Sequence, residues 1–272
     1  ADPTLPFPYT NLFRLSARTD RCSLVTGAAS AALADAPVET RSDVLDAIRQ
    51  AAWNVLGTLE QEGATVSTAT CLRDLASLVH DPALEAGTLA MLASAGADVP
   101  GLLPGFIPVL EAAQASGNPS LVYEVLKRKC AVLDLAGLVA DASRCHEDRL
   151  SAALAVGDGW EAYGALLSAC FSEETSEVPG CGCTDRLSRT LETSSGVAAA
   201  LALKARGDCL DGLGDKASAN REWELARKRF VGLLSKTSDG RVPSFLGDIE
   251  QALGLHDDAV RSRRVADRKS VV

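Results

Sequence analysis

The stretch DPALEAGTLAMLASAGADVPGLLPGFIPVLEAAQASGNPS, residues 81–120, carries the pattern on which the fold is read. It opens on Asp81-Pro82 and closes around Asn118-Pro119. In each pair, a side chain able to accept from free backbone N–H groups precedes a proline. At the first helical position a proline's missing donor is no loss, so each pair marks a helix start. A third version of the signal is Gly157-Asp158-Gly159, at a similar interval beyond the second. The start signal thus recurs at Asp81, Asn118 and Asp158. An interval of about 40 residues is the period of stacked helical hairpins.

The flanking segments read the same way. In Ser42–Glu62, Val44, Leu45, Ile48, Ala52, Val55, Leu56 and Leu59 recur every three or four residues, with Asp46, Arg49, Gln50 and Glu60 left outside. That is one apolar stripe on a helix, and Gly63 ends it. Ser67 is the expected N-cap of a second helix to Val79, with Cys71, Leu72, Leu75 and Leu78 inward. Helices are expected from Asp81-Pro82 to about Ala95, over Gly101–Ser116 with disturbance at Pro104 and Pro108, and over Ser120–Val132. Residues 1–21, with Pro3, Pro6 and Pro8, read as an extended arm leading into a short helix.

Composition agrees with an all-helical chain. Of the 272 residues 47% are hydrophobic but only 4% aromatic, so the apolar mass is Ala, Leu and Val. Small side chains suit close helix–helix contact better than a β-sandwich. No stretch approaches the roughly 18–20 apolar residues of a membrane-spanning helix. The net charge is −9, split between +3 for residues 204–272 and −12 for the rest. An acidic body argues against nucleic-acid binding, which needs a basic face to displace counterions. The basic run Arg261, Arg263, Arg264, Arg268 and Lys269 reads first as a solvated last helix whose cations favour its C-terminal dipole.

Toward the C-terminus the stretch 204–230, KARGDCLDGLGDKASANREWELARKRF, contains Gly207, the turn Gly214-Asp215, Ala219, Trp223 and Ala226. A second set follows one hairpin interval on: Gly247, Gly254, Ala259 and Ala266, with Arg263 in place of the tryptophan and Pro243 early in the segment. These residues resemble the tetratricopeptide repeat over about residues 201–266. The resemblance implies that Gly207 and Gly247 sit mid-way along first helices, crossed closely by second helices at Ala219 and Ala259. Small residues there let helix axes approach to about 8–9 Å. It further implies that Trp223 fills the groove to the next repeat, and that the groove beside Arg263 is left unpacked, as in a terminal repeat. Earlier segments keep only hairpin spacing.

The spacing breaks once. The step from Ala162 to Ala219 is longer than one hairpin interval by about twenty residues. The excess maps to 171–190, with its run Ser172–Glu177 and the segment Pro179-Gly180-Cys181-Gly182-Cys183. This reads as an inserted acidic loop, and such loops often carry function in repeat proteins.

The eight cysteines are Cys22, Cys71, Cys130, Cys145, Cys170, Cys181, Cys183 and Cys209. An even, enriched set points to disulfides and an oxidising compartment, with connectivity open. Cys181 and Cys183 are expected to be oxidised, at least one of them to a neighbouring helix, with Cys170, Cys145, Cys130 and Cys209 as partners. A bond between the two would strain the preferred torsion. Zinc is disfavoured, since structural sites use wider spacing and a second pair. Cys145-His146 is not a nucleophile–base pair, because helical neighbours point about 100° apart. Asp257-Asp258 and Glu173-Glu174 read as solvated charge. No HExxH, P-loop, GxSxG or GxGxxG motif is present, so no catalytic residue, metal ligand or cofactor is expected.

The expected fold is all-α: a right-handed α-solenoid of stacked helical hairpins, tetratricopeptide-like at its C-terminal end. Its expected organisation is an arm and short helix over 1–36, hairpins over 37–170, the loop 171–190, and repeat-like hairpins over 191–272. The expected function is a secreted or surface-exposed scaffold that binds another protein and neither nucleic acid nor the membrane interior. Glu173, Glu174 and Glu177 in the loop and Trp160 beside its turn glycine are the candidate contact residues. The alternatives are an intracellular tetratricopeptide-type adaptor with reduced cysteines, and an all-α enzyme without a recognisable motif.

Overall fold

In the computed structural model the described residues are 22–174, 181–194 and 196–270. The expected arm over 1–21 lies outside them. All described elements are helical, and no strand occurs among the described residues. In order they are α1 (Cys22–Asp35), α2 (Arg41–Glu62), α3 (Val66–Val79), α4 (Pro82–Ser94), α5 (Val99–Leu102), α6 (Phe106–Ala115), α7 (Pro119–Leu135), α8 (Val139–Val156), α9 (Gly159–Glu174), α10 (Gly182–Glu192), α11 (Val197–Gly212), α12 (Lys216–Leu234), α13 (Arg241–Ala252) and α14 (His256–Ser270). The chain divides into two compact units between Leu138 and Val139.

The start signals act as their chemistry requires. Asp81 accepts from the backbone N–H groups of Ala83 and Leu84 at 3.1 and 3.2 Å, with Pro82 at the first helical position. Asn118 accepts from Ser120 N at 3.0 Å, and Asp158 from Trp160 N and Glu161 N at 3.0 and 3.1 Å. One cap differs from expectation: Thr65, not Ser67, opens α3. Thr65 accepts from Thr68 N at 3.2 Å while Thr68 Oγ1 accepts from Thr65 N at 3.0 Å, a reciprocal box that Ser67 cannot form.

Helix ends repeat as regularly as the starts. Gly96, Gly137, Gly157, Gly214 and Gly254 all have positive φ. After each, the next residue's N–H returns to a carbonyl five positions back, as Leu138 to Leu133 (3.1 Å) and Leu255 to Glu250 (2.8 Å). This is the Schellman cap, whose left-handed residue favours glycine.

In the first unit α3 packs on α2 and α4, and α4 on α7, with α6 against α7 as well. Ile48, Ala52, Leu56, Leu72, Leu75 and Leu84 form one core cluster, and Phe106, Val109, Val125 and Val132 belong to a second. The prolines divide the expected helix Gly101–Ser116: α5 ends at Leu102, a 3-10 turn spans Leu103–Gly105, and α6 begins at Phe106. In the second unit α8/α9, α11/α12 and α13/α14 are hairpins, α12 packs on α13, and α10 lies against α9 and α11.

The expected loop 171–190 is largely not a loop. Residues 171–174 finish α9 and 182–190 belong to α10. Leu187, Leu191, Cys183, Thr184 and Ser188 are buried, and Ser188 Oγ donates to Ala202 O at 3.3 Å. The acidic run upstream obscured a short amphipathic stripe, so the inserted stretch includes one further helix, α10, packed against α9 and α11.

Candidate functional site

The N-terminal turn of α10 is tied to two different helices. Cys183 is bonded to Cys170 near the end of α9, with Cα atoms 5.4 Å apart, and Cys181 is bonded to Cys209 on α11 at 5.8 Å. Cys181 and Cys183 are thus each oxidised to a neighbouring helix rather than to each other. Cys71, Cys130 and Cys145 are also disulfide-bonded, and none of the described cysteine side chains is free. The side chain of Cys22 lies outside the described residues.

Next to this anchor, α11 and α12 cross at small residues. Gly207, Ala219 and Ala226 are buried, and a Cβ on Gly207 would overlap the indole of Trp223. Trp223 is itself buried, and its Nε1 donates to Asp208 Oδ1 at 3.0 Å. The last hairpin fills the equivalent place differently. A Cβ on Gly247 would stand 3.0 Å from Arg263 Cγ and 3.3 Å from the Ala259 carbonyl. The groove expected to be unpacked is covered by the aliphatic stem of Arg263, whose guanidinium reaches Asp248 at 3.3 Å. Ala259 is buried and Ala266 half-buried.

A third feature joins α9, α11 and α13. Trp160, half-buried, lies with its ring centroid 4.9 Å from that of Phe245, while the Arg241 guanidinium sits 4.6 Å from the Trp160 centroid. The indole Nε1 of Trp160 donates to Asp239 Oδ2 at 2.9 Å. Tyr163 meets Phe245 edge-on at 6.0 Å, and Lys204 lies 5.7 Å from the same ring. Hydrogen bonds from Arg241 hold the Asp239 carboxyl below its usual range. Burial, then Asp208 and Asp248, push the Tyr163 phenol well above its own. Aromatic rings and both signs of charge thus converge where three helices meet.

No family model matches the chain. No curated protein matches it either. Among solved structures 21 chains show a likeness. One of them is BtubC (BKLC) from P. vanneervenii, 14% identical, with 79% of this chain and 89% of that chain covered at a TM-score of 0.41.

Of the expected contact residues, Trp160 lies in the aromatic cluster with its ring covered by Phe245 and Arg241 and its donor engaged. The side chains of Glu173 and Glu174, and the whole of Glu177, lie outside the described residues. His80 adopts a left-handed conformation (φ 48°) at the end of α3, and His256 opens α14. Asp258 accepts from Arg227 at 3.0 Å, and Arg227 also donates to the buried Glu250 at 3.1 Å, so Asp258 is a member of an ion network rather than solvated charge. No group of three or more His, Cys, Asp or Glu able to hold a metal occurs among the described residues, and no described helix is long and apolar enough to cross a membrane. Sequence reading missed Phe245, Arg241 and Asp239. Their local signal was the turn Thr237-Ser238-Asp239-Gly240, in which Asp239 Oδ1 accepts from Arg241 N at 2.9 Å.

Proposed function

We propose that this chain is a secreted or surface-exposed helical scaffold that binds another protein. The observation that carries the reading is the cluster of Trp160, Tyr163, Lys204, Arg241 and Phe245. Half-buried Trp160 and Phe245 over the buried Tyr163, bordered by arginine and by exposed aspartates (Asp208, Asp248), have the composition of interface anchors with a polar rim. Stacked helical hairpins commonly bind other proteins through extended concave surfaces. The disulfides support an oxidising compartment, where cross-links persist that a reducing cytosol would open. They also hold the α9–α10–α11 junction beside the cluster without needing a partner.

The test is photo-crosslinking. A benzoylphenylalanine placed at position 248 should yield a polypeptide adduct when the full chain is returned to its native surroundings. The same group at Ala140, on exposed α8 surface, should yield none. Equal labelling at both positions, or no adduct at 248, would sink the reading.

A further inference from the structure

We propose that the Cys181–Cys209 disulfide is a thiol-exchange site, opened by a low-molecular-weight thiol that is left as a mixed disulfide on Cys209. The bond differs from its neighbours in access. Cys181 and Cys209 are both half-buried, with Cα atoms 5.8 Å apart. The other cysteines whose side chains are described, Cys71, Cys130, Cys145, Cys170 and Cys183, are all buried. Exchange requires a thiolate to reach one sulfur of the bond, so in the folded chain an accessible disulfide opens while a buried one stays closed.

The helix ends select the direction of attack. Cys181 is the N-cap residue of the 11-residue helix α10. A thiolate released there meets the positive end of the helix dipole, which lowers a thiol's pKa and makes it the better leaving group. Asp185, the acidic residue of the same turn, is paired with Arg189 at 2.7 Å and lies 3.7 Å from Arg206, so its charge is offset. Cys209 stands in the last turn of α11, at the negative end of that dipole, with Asp208 and Asp211 close in sequence. The incoming thiolate therefore bonds to Cys209 Sγ as the S–S bond breaks, and the electron pair leaves on Cys181 Sγ. Return of the Cys181 thiolate to Cys209 Sγ expels the small thiol and restores the original disulfide.

Opening this bond releases little else. α10 keeps its second tie, from Cys183 to Cys170 on α9. Leu187 and Leu191 are buried, and Ser188 Oγ donates to Ala202 O of α11 at 3.3 Å. These contacts keep Cys181 beside Cys209, so closure is intramolecular and competes well with the small thiol. The part set free is the first turn of α10, closed by Asp185 N donating to Cys181 O at 2.7 Å. The site is therefore reversible, with α10 acting as the arm that holds the resolving sulfur in place.

For the test, the full, oxidised chain is incubated without denaturant with reduced glutathione as the probe, quenched with iodoacetamide, and its peptides are mapped by mass spectrometry. Cys181–Cys209 should open at least about tenfold faster than Cys170–Cys183, whose sulfurs are reached only through local unfolding. The trapped intermediate should carry the alkyl group on Cys181 and glutathione on Cys209. Amide hydrogen exchange of the same sample should rise at residues 182–185 and stay unchanged across α11 and α12. Opening of both bonds at one rate, no opening short of denaturation, glutathione on Cys181 instead, or lost protection throughout α11 and α12 would each overturn the proposal.

Discussion

At the scale of single residues, Gly207 has the least room for a side chain of the described glycines. Any side chain at this position enters the space of the Trp223 indole, which is buried and anchored through Asp208. The indole has no easy way out, since rotating it breaks a hydrogen bond and empties its groove. Gly207→Leu should therefore destabilise the chain by about 1–3 kcal/mol or more, through overpacking rather than helix propensity. Urea unfolding followed by Trp fluorescence measures this. A loss no larger than that of Gly212→Leu, at a position with open space around its Cα, would show the crossing to be slack. Arg263 over Gly247 makes the complementary point: a charged side chain can fill an apolar groove with its stem, which a reading by residue class does not anticipate.

At the scale of elements, the helix boundaries most legible in the sequence are those with a capping side chain. Asp81, Asn118 and Asp158 act as their positions suggest, because a carboxylate or amide before Pro or Gly has few other local uses. Asp81 does more: Oδ2 also accepts from Trp53 Nε1 of α2 at 3.0 Å. Removing it uncovers two helix-start donors and leaves a partly buried indole N–H unpaired. Asp81→Ala should cost about 1–3 kcal/mol, while Asp81→Asn, which keeps an acceptor oxygen, should cost less. Equal losses in a denaturant titration would mean that charge, not capping, is what matters. The element the sequence concealed is α10. Its stripe is short, it follows an acidic run, and its first turn and cap contain Gly182 and two cysteines. Its position depends on covalent ties to Cys170 and Cys209 and on the face of α11, neither of which leaves a local trace.

At the scale of the whole molecule, fold class and candidate site were legible to different degrees for a physical reason. Helix periodicity and caps are local, so the all-α class follows from residues within a few turns of one another. The aromatic cluster is not local. Trp160 and Asp239 are 79 residues apart, and nothing at either position announces the other. The cysteines lie between these cases, with oxidation suggested by their number and the partners set only by packing. Cys71, Cys130, Cys145, Cys170 and Cys183 are buried, so reagents reach them only after unfolding, and the thiol count must be taken in denaturant without reductant. Protein from its native source should then show less than one free thiol per chain, and after reduction the eight that the sequence contains. Finding close to eight before reduction would place the chain in a reducing compartment and favour the intracellular adaptor. It would also leave α10 held on α11 by Leu187, Leu191 and Ser188 alone.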